Sequence, residues 1–199
     1  MFNGLSGKAA IVTGGATLIG AAVVRALHEA GVRVALADID AAGGARVAAE
    51  CGEGVWFRAT DITDDAQVQA CADEAAARFG RLDFLVNLAC SYVDDGLDSG
   101  RADWLTALNV NVASAAMMLK AALPHMRRAG GGAVVNFTSI SSRVAQTGRW
   151  LYPVSKAALV QLTRSMAMDL APEKVRVNSV SPGWTWSAIM DQLTHGDRG

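Results

Sequence analysis

Six short apolar runs, separated by longer segments of helical character, restrict the folds open to this chain more than any other feature. The runs are Ala9–Thr13, Val32–Ala37, Val55–Ala59, Leu82–Val86, Ala133–Phe137 and Val175–Val180. Each is close to continuously apolar instead of alternating, the pattern of a strand covered on both faces. Between them the sequence predicts helices over Ile19–Ala30, Ala41–Cys51, Asp65–Phe79, Trp104–Arg128 and Tyr152–Leu170. Regular alternation of this kind implies βαβ units and an α/β fold. The expected architecture is a doubly wound parallel sheet of six strands in the order 3-2-1-4-5-6. Asp61 or Thr63 is expected to cap the third helix, with Asp64 and Asp65 in its first turn, and Gly31 and Gly80 to end the first and third helices. One domain accounts for 199 residues.

Composition removes several classes of function. Eighteen Lys and Arg against 19 Asp and Glu leave a net charge of −1, without the basic surface that nucleic acid or an anionic membrane demands. The uncharged run from Ala9 to Val24 is 16 residues long and carries three glycines and two threonines, too short and too polar to span a bilayer. The opening Met-Phe-Asn-Gly lacks the basic start of a signal peptide, so a cytoplasmic protein is expected. Cys51, Cys71 and Cys90 show no Cys-x-x-Cys spacing, and neither a disulfide frame nor a metal site is expected. The segment Asn109–Met126 is apolar all round, with Val112, Ala115, Leu119, Ala122 and Met126 on one stripe and Met117, Met118 and Ala121 on another. It suits either a core helix or a subunit contact.

Three groups of residues carry chemistry. Thr13-Gly14-Gly15-Ala16-Thr17-Leu18-Ile19-Gly20 follows the first strand and opens the first helix. Gly14 suits a tight turn, Gly20 suits close packing of helix on strand, and free N–H groups at a helix start bind phosphate. The same turn could serve as a plain connection. Asp38 ends the second strand, eighteen residues beyond Gly20. A carboxylate there can accept both ribose hydroxyls of an adenosine and would repel a 2′-phosphate; with no Arg or Lys at Gly15, Ala16 or Thr17, the reading is NAD over NADP. A turn or cap before the second helix is the alternative use. Tyr152 and Lys156 stand four residues apart, one helical turn, so that an ammonium can favour a phenolate. A surface pair is the alternative.

Together these residues give the chain a resemblance to the short-chain dehydrogenase/reductase family, with its single Rossmann-type domain and Tyr-x-x-x-Lys active site. The resemblance covers essentially the whole chain. It implies an adenine contact at Asp61-Ile62, a loop beneath the cofactor at Asn87-Leu88-Ala89-Cys90, and a helix-breaking catalytic asparagine at Asn111, seven residues after Trp104. Further along it implies a catalytic serine at Ser139, an exit from the last strand at Asn178 and Ser181-Pro182-Gly183, and a cofactor contact at Ser187. The implied cofactor set is thus Gly14, Thr17, Leu18, Ile19, Gly20, Asp38, Asp61, Ile62, Asn87, Ala89, Tyr152, Lys156, Pro182, Gly183 and Ser187. The implied reaction is NAD-dependent interconversion of a secondary alcohol and a ketone, with Tyr152 as acid and base and Ser139 holding the substrate oxygen. Lys156 would lower the phenol's pKa and orient the ribose, and Asn111 would fix a water. Dimers or tetramers joined through Asn109–Met126 and Tyr152–Leu170 are implied as well. An NADPH-dependent ketoreductase and a non-catalytic dinucleotide-binding or scaffold protein on the same fold are the competing readings.

The sequence departs from the family at three places. Leu18 replaces the middle glycine of the turn; with an α-like backbone it can point toward the core. Leu88 and Cys90 replace an Asn and a Gly, and Cys90 reads as a small buried residue rather than a catalytic thiol. The given sequence stops at Gly199, before the family's final helix and strand; a shortened chain or a further tail is expected, with residues 184–199 as the start of a substrate loop. Loops around Ser91–Leu97, Ser141–Trp150 and Trp184–Met190 should wall the substrate. Tyr92, Trp150, Trp184 and Trp186 suggest a hydrophobic or ring-bearing alcohol, Ser141 adds a polar contact, and Arg143 and Arg149 could hold a carboxylate or stand as exposed charges.

Overall fold

The computed structural model describes residues 4–185. Its centre is a parallel sheet of β1 (Ala9–Thr13), β2 (Arg33–Asp38), β3 (Val55–Ala59), β4 (Phe84–Asn87), β5 (Gly132–Phe137) and β6 (Val175–Val180), in the order β3-β2-β1-β4-β5-β6. The helices are α1 (Leu18–Glu29), α2 (Ala41–Cys51), α3 (Asp65–Phe79), α4 (Arg101–Leu108), α5 (Ser114–Ala129) and α6 (Leu151–Leu170). The fold is Rossmann-type, with the strand order read from the sequence.

The apolar runs are continuous because each central strand has helices on both faces. Along β1, Ile11 packs with α3, α5 and α6, while its neighbour Val12 packs with α1 and α2. Ile11, Leu36, Leu82, Leu85, Met118 and Met126 are among the largest side chains removed fully from solvent, each contributing roughly 1.5–3 kcal/mol. Arg101–Arg128 is long and apolar enough to pass a length test for a membrane span, yet Met118, Leu119, Ala122 and Met126 are spent in this core.

Local signals misplace several boundaries. β4 begins at Phe84, not Leu82, because Asp83 is buried at its foot, where it accepts from Ala9 N–H at 3.0 Å and holds Lys8 and Arg81. β2 is shifted one residue toward Asp38. The cap of α3 is Asp64, whose carboxylate accepts from the N–H groups of Ala66 and Gln67; neither Asp61 nor Thr63 does this. The helix expected over Trp104–Arg128 is two helices joined by a π-helical turn, Asn109–Ala113. Gly80 ends α3 in the left-handed region with φ 72°, as expected of a glycine there.

Candidate active site

The carboxyl ends of the strands carry the site, where the strand order reverses beside β1. At the β1 exit, Gly14 has φ 69°, and a Cβ there would lie 2.7 Å from Ala89 N, so only glycine lets the β4 exit come so close. Thr13 Oγ1 accepts from Leu88 and Ala89 N–H at 3.1 and 3.3 Å, fixing the same approach. Thr17 caps α1: its hydroxyl donates to Gly14 O at 2.8 Å and accepts from Gly20 N–H at 3.1 Å. A Cβ on Gly20 would stand 2.0 Å from Gly14 O.

Asp38 turns back onto this loop. Its Oδ2 accepts from Ala16 N–H and its Oδ1 from Asp40 N–H, both at 2.9 Å. Asp40, not Asp38, caps α2. Among the described residues no protein acceptor takes the N–H groups of Leu18 and Ile19 in the first turn of α1. Free donors at the positive end of a helix, beside a carboxylate on the next strand, fit a dinucleotide's pyrophosphate and ribose. Leu18 has ordinary helical backbone, but its side chain is 59% exposed and does not enter the core as expected.

The second half of the site is a cavity of about 150 Å³ walled by residues of four exits, with Ser139, Tyr152 and Lys156 on it. Lys156 is 3% exposed and donates to Phe137 O at 2.8 Å; its Nζ lies 5.5 Å from the centre of the Tyr152 ring. Burial pulls the Lys156 ammonium below its usual pKa. Tyr152 stacks on Tyr92, with ring centres 5.1 Å apart. Burial and then Cys90 push the Tyr152 phenol above its ordinary pKa, opposed by bonds with the Ser139 and Tyr92 hydroxyls and by the charge of Arg149. Lys156 is thus not what sets the phenol's pKa in this structure. Tyr92 is pushed up too, chiefly by burial.

Distant residues hold this wall together. Asp94, in the loop after β4, accepts from Trp150 N–H at 2.9 Å and Tyr152 N–H at 2.8 Å, and so caps α6 at the turn that presents Tyr152. Burial disfavours its charge, yet the backbone donors of Trp150, Tyr152, Leu151 and Gly96 together hold its carboxyl below the usual range. No local sequence signal marks a cap 58 residues away. Asn111 lies in the π-helical turn; its amide donates to Ser91 O and to Ser155 Oγ, and its Oδ1 accepts from Ser91 N–H at 2.6 Å. The side chain ties the β4 loop to α6. Asn87 is buried in the same way: its amide donates to Asn136 Oδ1, and Asn136 donates to Thr163 Oγ1 on α6, both at 2.9 Å.

A family model described as enoyl-(acyl carrier protein) reductase matches residues 14–198. The chain belongs to the short-chain dehydrogenase/reductase family. It is 37% identical over 187 residues to a probable galactose dehydrogenase of Rhizobium meliloti, covering 92% of this chain and 73% of that one. With D-threitol dehydrogenase of Mycolicibacterium smegmatis the identity is 36% over 199 residues, covering 98% and 76%. A solved 3-ketoacyl-(acyl-carrier-protein) reductase from Brucella melitensis, complexed with NADH, superposes with a TM-score of 0.89 at 27% identity, covering 94% of this chain and 79% of that one. This short-chain dehydrogenase/reductase is an oxidoreductase.

Of the residues singled out from the sequence, Ile19, Tyr92, Ser139, Ser141, Arg149, Tyr152, Lys156, Pro182, Gly183 and Trp184 meet at the cavity. Arg143 and Trp150 do not; both are exposed and lie outside it. Asp61 is exposed, its Oδ1 bonded to Thr63, and Ile62 packs on the core. Cys90 is half-buried and lines the cavity, so it is not the hidden small residue expected. Ser187 and Trp186, and any continuation of the sheet past residue 185, lie outside the described residues. Leu88, from the loop expected beneath the cofactor, lines the cavity too; Phe137, Ile140 and Gln146 also wall it and carried no chemical signal that would have marked them in advance.

Proposed function

We propose that this short-chain dehydrogenase/reductase interconverts a secondary alcohol and a ketone, using NAD(H). The observation that carries the reading is the meeting of Tyr152, Ser139 and Lys156 on one cavity wall, with the ammonium 5.5 Å from the centre of the phenol's ring. The N–H groups of Leu18 and Ile19 would hold the pyrophosphate, and Asp38 the adenosine ribose. Pro182 and Gly183 would lie against the nicotinamide, and Lys156 would reach the second ribose. A bound nicotinamide supplies the carbon that accepts or gives the hydride.

The chain's own work is to place and protonate one oxygen. Ser139 Oγ donates to the substrate oxygen and favours negative charge on it. Tyr152 Oη passes its proton to that oxygen in reduction and takes it back in oxidation. With its pKa raised by burial, the phenol is protonated at neutral pH and ready for reduction; oxidation draws on the small phenolate fraction, which the charge of Arg149 favours. NAD is preferred because Asp38 would face a 2′-phosphate with no cation at Gly15, Ala16 or Thr17 to balance it.

A cytoplasmic enzyme that self-associates completes the proposal. Leu105, Leu108 and Val112 border an open apolar groove over the α4–α5 junction, which supports contact between copies. Light scattering showing a monomer would count against that part.

The test combines activity with binding. Tyr152→Phe should cut turnover at least ~100-fold while NADH affinity, followed by nicotinamide fluorescence, stays within about twofold. Near-normal turnover would remove Tyr152 from the reaction. Preference for NADPH would refute the role given to Asp38, and failure to bind either dinucleotide would favour the scaffold reading, which the exposed Leu18 on the turn alone recommends.

A further inference from the structure

The cavity's charges are lopsided. Its described lining contains two cations, Lys156 and Arg149, and no Asp or Glu. Lys156 is accounted for, being buried and bonded to Phe137 O. Arg149 is not. Among the described residues four arginines are half-buried: Arg33, Arg58, Arg81 and Arg149. Arg58 is paired with Glu74, Arg81 with Asp83, and Arg33 donates to Gly7 O and lies over the Phe79 ring. For Arg149 the contact found is a backbone one, its N–H to Gln146 O, and no carboxylate lies within ion-pair distance among the described residues. A guanidinium that gives up part of its hydration at a cavity wall, with five N–H donors uncommitted, has its natural partner in a planar anion.

We propose that the substrate is a hydroxy or oxo acid whose carboxylate is held by Arg149 while its alcohol or carbonyl oxygen meets Ser139 and Tyr152. The proposal rests on the dehydrogenase reading of the site and adds the substrate's second functional group. Leu88, Phe137, Ile140 and Tyr92 on the same wall require an apolar skeleton between the two polar ends. Arg149 is also near enough for its charge to favour the Tyr152 phenolate, so a bound carboxylate would partly cancel that field. Arg143, on the same segment, is exposed outside the cavity and has no such reach.

The test needs no turnover. The protein saturated with NADH is titrated calorimetrically with cyclohexanecarboxylate, benzoate and butyrate, each beside its primary amide. At least one acid should bind about tenfold more tightly than its amide. Arg149→Gln should abolish that preference, Arg149→Lys should keep part of it, and Arg143→Gln should keep all of it. Equal binding of acid and amide in every pair overturns the proposal, as does a preference that survives Arg149→Gln or falls equally with Arg143→Gln. Acid-selective binding by a protein that oxidises no alcohol would refute the dehydrogenase reading and leave the anion site standing. Oxidation of neutral alcohols with no acid preference would do the reverse.

Discussion

The two halves of the site are built by different means. The glycine-turn half is local: Thr17 caps its own helix across three residues, and Gly14 and Gly20 are needed because backbone stands where their side chains would be. The Tyr152 half is assembled from afar, by Asp94 on Trp150 and Tyr152, Asn111 on Ser155, and Asn136 on Thr163, over separations of 27 to 58 residues. A site divided in this way should fail in two distinct manners. Damage to the turn should appear in dinucleotide affinity, and damage to the remote ties should appear in turnover.

The strongest way to break the contrast is Gly20→Ala. With a carbonyl oxygen 2.0 Å from the new Cβ, the turn must open, and NADH affinity should fall about 30-fold or more, roughly 2 kcal/mol. Fluorescence titration giving wild-type affinity would show that the turn yields freely. Next in size is the pH response. Because burial holds the Tyr152 phenol above its ordinary pKa, the phenolate fraction rises about tenfold per pH unit below that value. Oxidation should therefore climb steadily through pH 7 to 9, and reduction should not. A plateau of oxidation kcat/KM below pH 8 would mean that the phenol titrates lower than its burial dictates.

Asp94→Ala should lower kcat about five- to tenfold and leave the NADH Kd unchanged, since it frees the start of α6 without touching α1. Asp94→Asn, which keeps one carbonyl acceptor, should recover part of that loss. Cap removal costs ~1 kcal/mol of stability, so melting curves separate unfolding from misplacement. A shift in NADH Kd equal to that in kcat would erase the distinction between the halves. Smallest is Leu18→Gly: an exposed side chain on ordinary helical backbone should change NADH affinity less than about threefold. Tenfold tighter binding would show that Leu18 crowds the phosphates.

The same division explains what could be read from the chain beforehand. β1, the turn after it, α2 and α3 follow nearest neighbours, and their bounds were legible from apolar runs, glycines and spacing. The sheet order was legible too, because continuous apolar strands alternating with helices admit few arrangements. The β4 start was not, since Asp83 owes its burial to Ala9, Lys8 and Arg81. The break at Asn109–Ala113 was legible only through the resemblance, at Asn111; propensity favours unbroken helix there, and the Asn111 bonds to Ser91 and Ser155 decide otherwise. Tyr152 and Lys156 could be picked out by spacing, whereas Asp94 could not. The fates of Arg143 and Arg149, six residues apart and chemically alike, depended on which one the segment turns inward.

The wide turn at Asn109–Ala113 has a consequence for how this stretch can change over time. One residue of a helix corresponds to about 100° of rotation, so trimming a single position from that turn would swing α5 by more than a quarter circle. Met118, Leu119 and Met126 would leave the core in one step, and Ala129 would no longer deliver the chain to β5. Substitutions can accumulate there one at a time, but insertions and deletions should be all but forbidden, which makes the spacing between Trp104 and β5 a better family ruler than the letters that fill it.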